Sequence, residues 1–167
     1  GGQAHLAWFQ ADSSKDKMHS LRYLRIDSVA QSPTVTLRDN VYNPSQLAIV
    51  TDSLNVFHAY WSEYHADSTS RLYFLTYDGN ELTIDSSASY HIGIFSVQAV
   101  SGPGGAIHAL WQGFGSDGDS LYYASSLSSP PFSNISRVSS QPFRFIKFFT
   151  LFLHGNGIPA CVLGAYS

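Results

Sequence analysis

Apolar and polar residues alternate along this chain in short runs, each closed by a turn rich in Gly, Ser, Asp or Asn. "SQLAIVT" (45–51), "RLYFLTYD" (71–78), "FSVQAVS" (95–101) and "LYYASSL" (121–127) are examples. Such runs predict strands, whose side chains point to opposite faces in succession. No window holds apolar residues at helical spacing for three turns, and Pro or Gly interrupts most long runs.

The runs recur. "AHLAWFQ" (4–10), "FHAYWSE" (57–63) and "AIHALWQ" (106–112) are near copies, with Trp8, Trp61 and Trp111 spaced 53 and 50 residues apart and His5, His58 and His108 three places before them. "GIPACVLG" (157–164) continues the series without its His and Trp. Downstream, Leu21, Leu72 and Leu121 each open a Leu-aromatic run, 51 and 49 residues apart. Each repeat reads as four strands. The first ("SQLAIVT", "FSVQAVS", "FFTLFL") reaches the His-Trp strand through "DSLN", "GPGG" or "HGNG". The Leu-aromatic strand follows, and a more polar fourth strand is represented by "SPTVTLRD", "NELTIDSS" and "SNISRVSS".

Four short antiparallel strands per repeat of about fifty residues predict an all-β chain of propeller blades. The repeats run over about 1–42, 43–93 and 94–142, with an incomplete fourth at 143–167, in a single partial-propeller domain. Within the repeated strand, Ile107, Ala109 and Trp111 share one face while His108 and Leu110 share the other. Both faces are apolar, as in a strand covered on both sides. The histidines and tryptophans are therefore expected to be structural, each His bonded between sheets to a backbone or hydroxyl group. Three blade-equivalents plus one strand do not close a ring of four to eight blades. The expectation is that further blades of a longer polypeptide, or further copies of this chain, complete it.

The strand ending in Trp, the polar loop, the Leu-Tyr-Tyr strand and the serine-rich turn of "AIHALWQGFGSDGDSLYYASSLSSPPFSNISRVS" resemble the degenerate repeats of sialidase-like β-propellers, also called BNR or Asp-box repeats. The likeness spans the whole chain as a pattern. That family's turn motif is Ser-x-Asp-x-Gly-x-Thr-Trp, a structural clip. Its Ser and Asp positions are matched here by Arg25 and Asp27, Thr76 and Asp78, and Ser125 and Leu127, so Asp27 and Asp78 retain the Asp. The resemblance implies a propeller that is secreted or displayed at the cell surface. Its enzymes use three arginines, a Tyr paired with Glu, and an Asp. No local motif among the six arginines here marks those positions, and no catalytic residue is carried over.

Composition narrows the reading. The chain is 44% hydrophobic, 14% aromatic and 13% charged, with a formal charge of −3, so no clustered basic face is available to bind nucleic acid. The single Cys161 leaves no intrachain disulfide. The most apolar stretch, from Phe143, is broken by Arg144, Lys147, His154, Gly155 and Gly157, which argues against a membrane-spanning helix. Asn134-Ile135-Ser136 fits a glycosylation acceptor pattern.

Recognition is expected on the loops after the Trp strands, because loops on a rigid scaffold carry most binding. Tyr64, Asp67, Arg71, Asp117 and Asp119 are the candidate ligand-binding residues, and "GSDGDS" (115–120) offers oxygens of the kind calcium takes. His5, His58 and His108 come from equivalent positions on successive blades and are not expected to converge on a metal. The preferred function is a non-catalytic propeller scaffold or binding module with a glycan or protein ligand. The alternatives are part of a sialidase-like glycoside hydrolase and a propeller-type lectin.

Overall fold

In the computed structural model the described residues are 2–79, 82–86, 93–115, 117–126, 135–139 and 141–166. They form an all-β chain of small antiparallel sheets, with one 3-10 turn at Pro103–Gly105. The chain divides into two compact units, Gly1–Pro44 and Ser45–Ser167.

The first unit is a three-stranded meander of β1 (Ala4–Ala11), β2 (Met18–Ile26) and β3 (Val35–Tyr42). Trp8 pairs with Arg22 across β1–β2 and is 37% exposed. Arg22 reaches Gln10 on one side and Thr36 on the other, tying the three strands together.

The second unit contains three sheets. One is β4 (Pro44–Thr51), β5 (Phe57–Tyr64), β6 (Ser70–Tyr77) and β7 (Leu82–Ser86), hydrogen-bonded in that order. The next is β8 (Gly93–Ser101), β9 (Ile107–Gly115), β10 (Gly118–Ser125) and the two-residue β11 (Ser136–Arg137), again in chain order. The last is a pair, β12 (Phe145–Leu153) and β13 (Pro159–Tyr166). The first-strand, His-Trp and Leu-aromatic runs of the sequence lie on β4, β5 and β6 and on β8, β9 and β10.

Packing explains the sequence pattern. Tyr60, Leu72 and Phe74 of the first sheet meet Ile94, Val97, Ile107, Ala109 and Trp111 of the second. From the opposite face of the second sheet, Leu110 and Leu121 meet Ile146, Phe149 and Leu151 of β12. The middle sheet is thus covered on both sides, so β9 is apolar on both faces while β12, covered on one, alternates buried and exposed. Burying such faces supplies most of the stabilisation, at about 25 cal/mol per Å2 of apolar surface.

Two polar clasps fix how β12 sits on the middle sheet. The Gln98 side chain donates through Nε2 to Phe149 O at 3.0 Å and accepts through Oε1 from Leu151 N at 2.8 Å, acting as a peptide group between sheets. Asp119 of β10 accepts through Oδ2 from Gln112 Nε2 and from Ile146 N, both at 2.7 Å. Its own backbone exchanges two hydrogen bonds with Phe143. The preceding Gly118 has φ +122, and a Cβ there would lie 2.3 Å from Phe143 O, so only glycine permits this approach.

Candidate functional site

The repeated histidines hold the same place in the register of their own sheets. His5, His58 and His108 pair in register with Arg25, Thr76 and Ser125, and the residue two places before each partner lies diagonally beside the imidazole. In the first and third repeats that residue is tyrosine. His5 Nδ1 is 2.8 Å from Tyr23 Oη, and His108 Nδ1 is 2.6 Å from Tyr123 Oη. In the second repeat it is Phe74, whose ring stacks on His58 at 5.8 Å but offers no hydroxyl. His58 turns its other nitrogen, Nε2, to Asp52 Oδ2 at 3.2 Å, and Nδ1 is left buried without a partner.

Asp52 is held in place by its own turn. Its Oδ1 accepts from Leu54 N and Val56 N, each at 2.9 Å, and these bonds together with His58 keep the carboxyl below its ordinary range despite desolvation. The equivalent position in the third repeat is Gly102, where a Cβ would come within 2.9 Å of His108 Nε2. Each of the three imidazoles is therefore anchored by a side chain, a tyrosine hydroxyl or an aspartate. In an Asp52→Ala background, Phe74→Tyr is expected to restore about 1 kcal/mol by giving His58 a new partner. A double-mutant cycle in urea checks this, and additivity of the two substitutions would refute it.

Burial also lowers the His58 and His108 pKa values below the ordinary 6.5, for His58 against the opposing pull of Asp52. The unfolded chain then takes up protons before the folded one as pH falls. This contribution to stability is complete above 6.5 and is lost as pH drops through the folded values. A lower urea midpoint at about pH 5 than at about pH 7 is the expected result, with the difference reduced in His108→Phe. The lowered Asp52 adds a further loss only below its ordinary 3.8.

The loop candidates separate into three groups. Tyr64, Asp67 and Arg71 lie together at the β5–β6 hairpin, where Tyr64 pairs with Ser70 and Glu63 with Arg71. Tyr64 and Arg71 are exposed. Asp67 accepts through Oδ1 from Thr69 N at 3.0 Å and Thr69 Oγ1 at 2.6 Å, closing the turn on itself. Asp12 does the same with Ser14, and Asp27 with the backbone of Val29 and Ala30. Hydrogen bonds to the ionised form lower all three of these carboxyl pKa values. Asp78 is exposed just beyond β6.

Asp117 is exposed at the β9–β10 hairpin, but Asp119, expected on the same recognition loop, is fully buried in β10 and faces the clasp to β12. Asp117 precedes the strand and stays on the hairpin, whereas Asp119 lies inside β10, on the face that packs towards β12. Among the described residues no three His, Cys, Asp or Glu gather to hold a metal ion. Asn134 lies outside the described residues.

Glu63, one of the acidic residues that the segment after Trp61 offers for recognition, is not on that surface. It is buried beside Trp61 and accepts from its Nε1 at 3.0 Å. A glutamate placed two residues after a buried Trp on the same strand face was the available signal. No family model matches the chain, and no curated protein matches its sequence.

Proposed function

We propose that the chain is a segment of a β-propeller that works as a non-catalytic binding or assembly scaffold. The observation that carries this reading is the use made of the repeated histidines and of the turn aspartates. The imidazoles are anchored inside the sheets, and Asp12, Asp27, Asp52 and Asp67 each close a turn. A glycosidase typically directs a pair of carboxylates at its substrate, and the carboxylates named here are spent on closing turns or holding an imidazole. The face-to-face packing of successive sheets within Ser45–Ser167 supports a propeller as its architecture.

The test is incubation of the folded chain with a fluorogenic sialoside and, separately, with a glycan array. Neither turnover nor glycan binding is the expected result. Sugar release would replace the scaffold with a sialidase-like hydrolase, and glycan binding without turnover would replace it with a lectin.

A further inference from the structure

We propose that Asn156 is a site of spontaneous deamidation, and that the isoaspartate formed there releases the β12–β13 turn from its seat on Pro103. The inference is independent of the scaffold reading.

The sequence supplies the reactive pair. Asn156-Gly157 is the only Asn-Gly among the chain's six asparagines. Ring closure at such a pair is favoured because glycine places no side chain in the path of its own backbone nitrogen.

The turn then positions the reacting atoms. Asn156 is exposed, and its Oδ1 accepts from Ile158 N at 3.2 Å, which folds the carboxamide back over the Asn156–Gly157 peptide bond. Gly157 has φ +80 and donates to His154 O at 2.7 Å, while His154 N donates to Ile158 O at 2.9 Å. Leu54 and Gly104 hold the same place in the β4–β5 and β8–β9 turns, each followed by a further sheet, and both are exposed. Solvent access at this position is therefore a property of the repeat.

When the bond to His154 opens, the Gly157 nitrogen loses its proton to solvent and attacks Asn156 Cγ. The new N–Cγ bond closes a cyclic imide, the Cγ–Nδ2 bond breaks, and the amide nitrogen takes up a proton from solvent and leaves as ammonia. Water then adds across one imide C–N bond. Cleavage at Cγ gives aspartate, and cleavage at the main-chain carbonyl carbon gives isoaspartate, the larger product, whose backbone runs through Cβ and Cγ.

That longer backbone does not fit the turn. The last residue of each turn packs on the turn before it: a Cβ on Gly105 would meet Ser53 Oγ at 3.4 Å, and one on Gly157 would lie 2.4 Å from Pro103 Cγ. An added backbone methylene beside Gly157 therefore lifts the turn from Pro103 and loosens the bond between His154 N and Ile158 O.

The experiment holds the intact chain in mildly alkaline buffer and maps its peptides by mass. Isoaspartate is read by methyl transfer from S-adenosylmethionine with an isoaspartyl carboxyl methyltransferase. Ammonia loss confined to the Asn156 peptide is expected, with methyl acceptance rising in step. Asn156→Gln, whose longer side chain cyclises reluctantly, should suppress both. In the converted chain the His154 amide should exchange about tenfold faster, as for loss of one turn hydrogen bond, with exchange in β5 unchanged. Freshly prepared Asn156→Asp carries the charge without the added methylene and should exchange like wild type.

No conversion in the folded chain, under conditions where a peptide copying residues 151–161 converts, would overturn the proposal. So would methyl acceptance undiminished in Asn156→Gln, or a converted chain whose His154 amide exchanges no faster than before. Equal acceleration in Asn156→Asp would assign the change to charge and overturn release by the lengthened backbone.

Discussion

Trp61→Ala is expected to lower the unfolding free energy by about 3–5 kcal/mol, while Trp8→Ala costs about 1 kcal/mol or less. The two residues hold the same repeat position, so the difference tests packing. Trp61 is fully buried, stacks on Tyr73 at 5.5 Å and donates to Glu63, itself 2% exposed. Removing the indole opens a cavity and also strips a donor from a buried carboxylate. Trp61→Phe should keep most of the packing but still lose the Nε1 bond, and so fall between wild type and Trp61→Ala. Trp8 lies on an edge strand with part of its ring in solvent, so less surface is re-exposed. Equal losses at the two positions, measured by urea unfolding, would show that burial does not set their cost.

The strands were legible because each buried run had a distinct period and each turn had its own chemistry. The His-Trp strand could be placed between layers from residues such as Ile107, Ala109 and Leu110, which made both of its faces apolar. Partner choice was less legible. The exchange of Tyr for Phe74 and of Gly for Asp52 is visible when the repeats are aligned, but only the register of β5 on β6 and the Asp52–His58 contact show that both changes act on His58. The loop aspartates misled for a different reason. Asp67 and Asp119 have the same side chain in similar strings, and whether it closes a turn or enters the interior depends on where the next strand begins. Gln98, a polar residue within "SVQAVS", signalled a buried partner, but that partner belongs to a sheet more than fifty residues later.

Asp119→Ala is the second large effect, with an expected loss of about 2–4 kcal/mol, because Ile146 N and the Gln112 amide would lose an acceptor in a buried site. The result should concentrate on the β12–β13 pair. Amide exchange at Ile146 and along β12 is expected to accelerate far more than exchange in β5, since the carboxylate is a direct anchor for β12. Asp119→Asn retains a side-chain oxygen of the same shape and should recover part of the loss. Uniform acceleration of exchange across all strands would argue that Asp119 supports the unit as a whole and not the junction.

The Gln98 clasp has a consequence for how such a chain can change. An apolar contact tolerates sliding by fractions of a residue, but an amide that both donates to Phe149 O and accepts from Leu151 N recognises a single alignment. The corresponding position one sheet earlier is Ala48, which packs against the apolar cluster without any such address. The repeats are therefore not interchangeable parts. Exchanging their order would leave the amide facing a surface with no matching backbone, so this one side chain makes the succession of sheets a directional code.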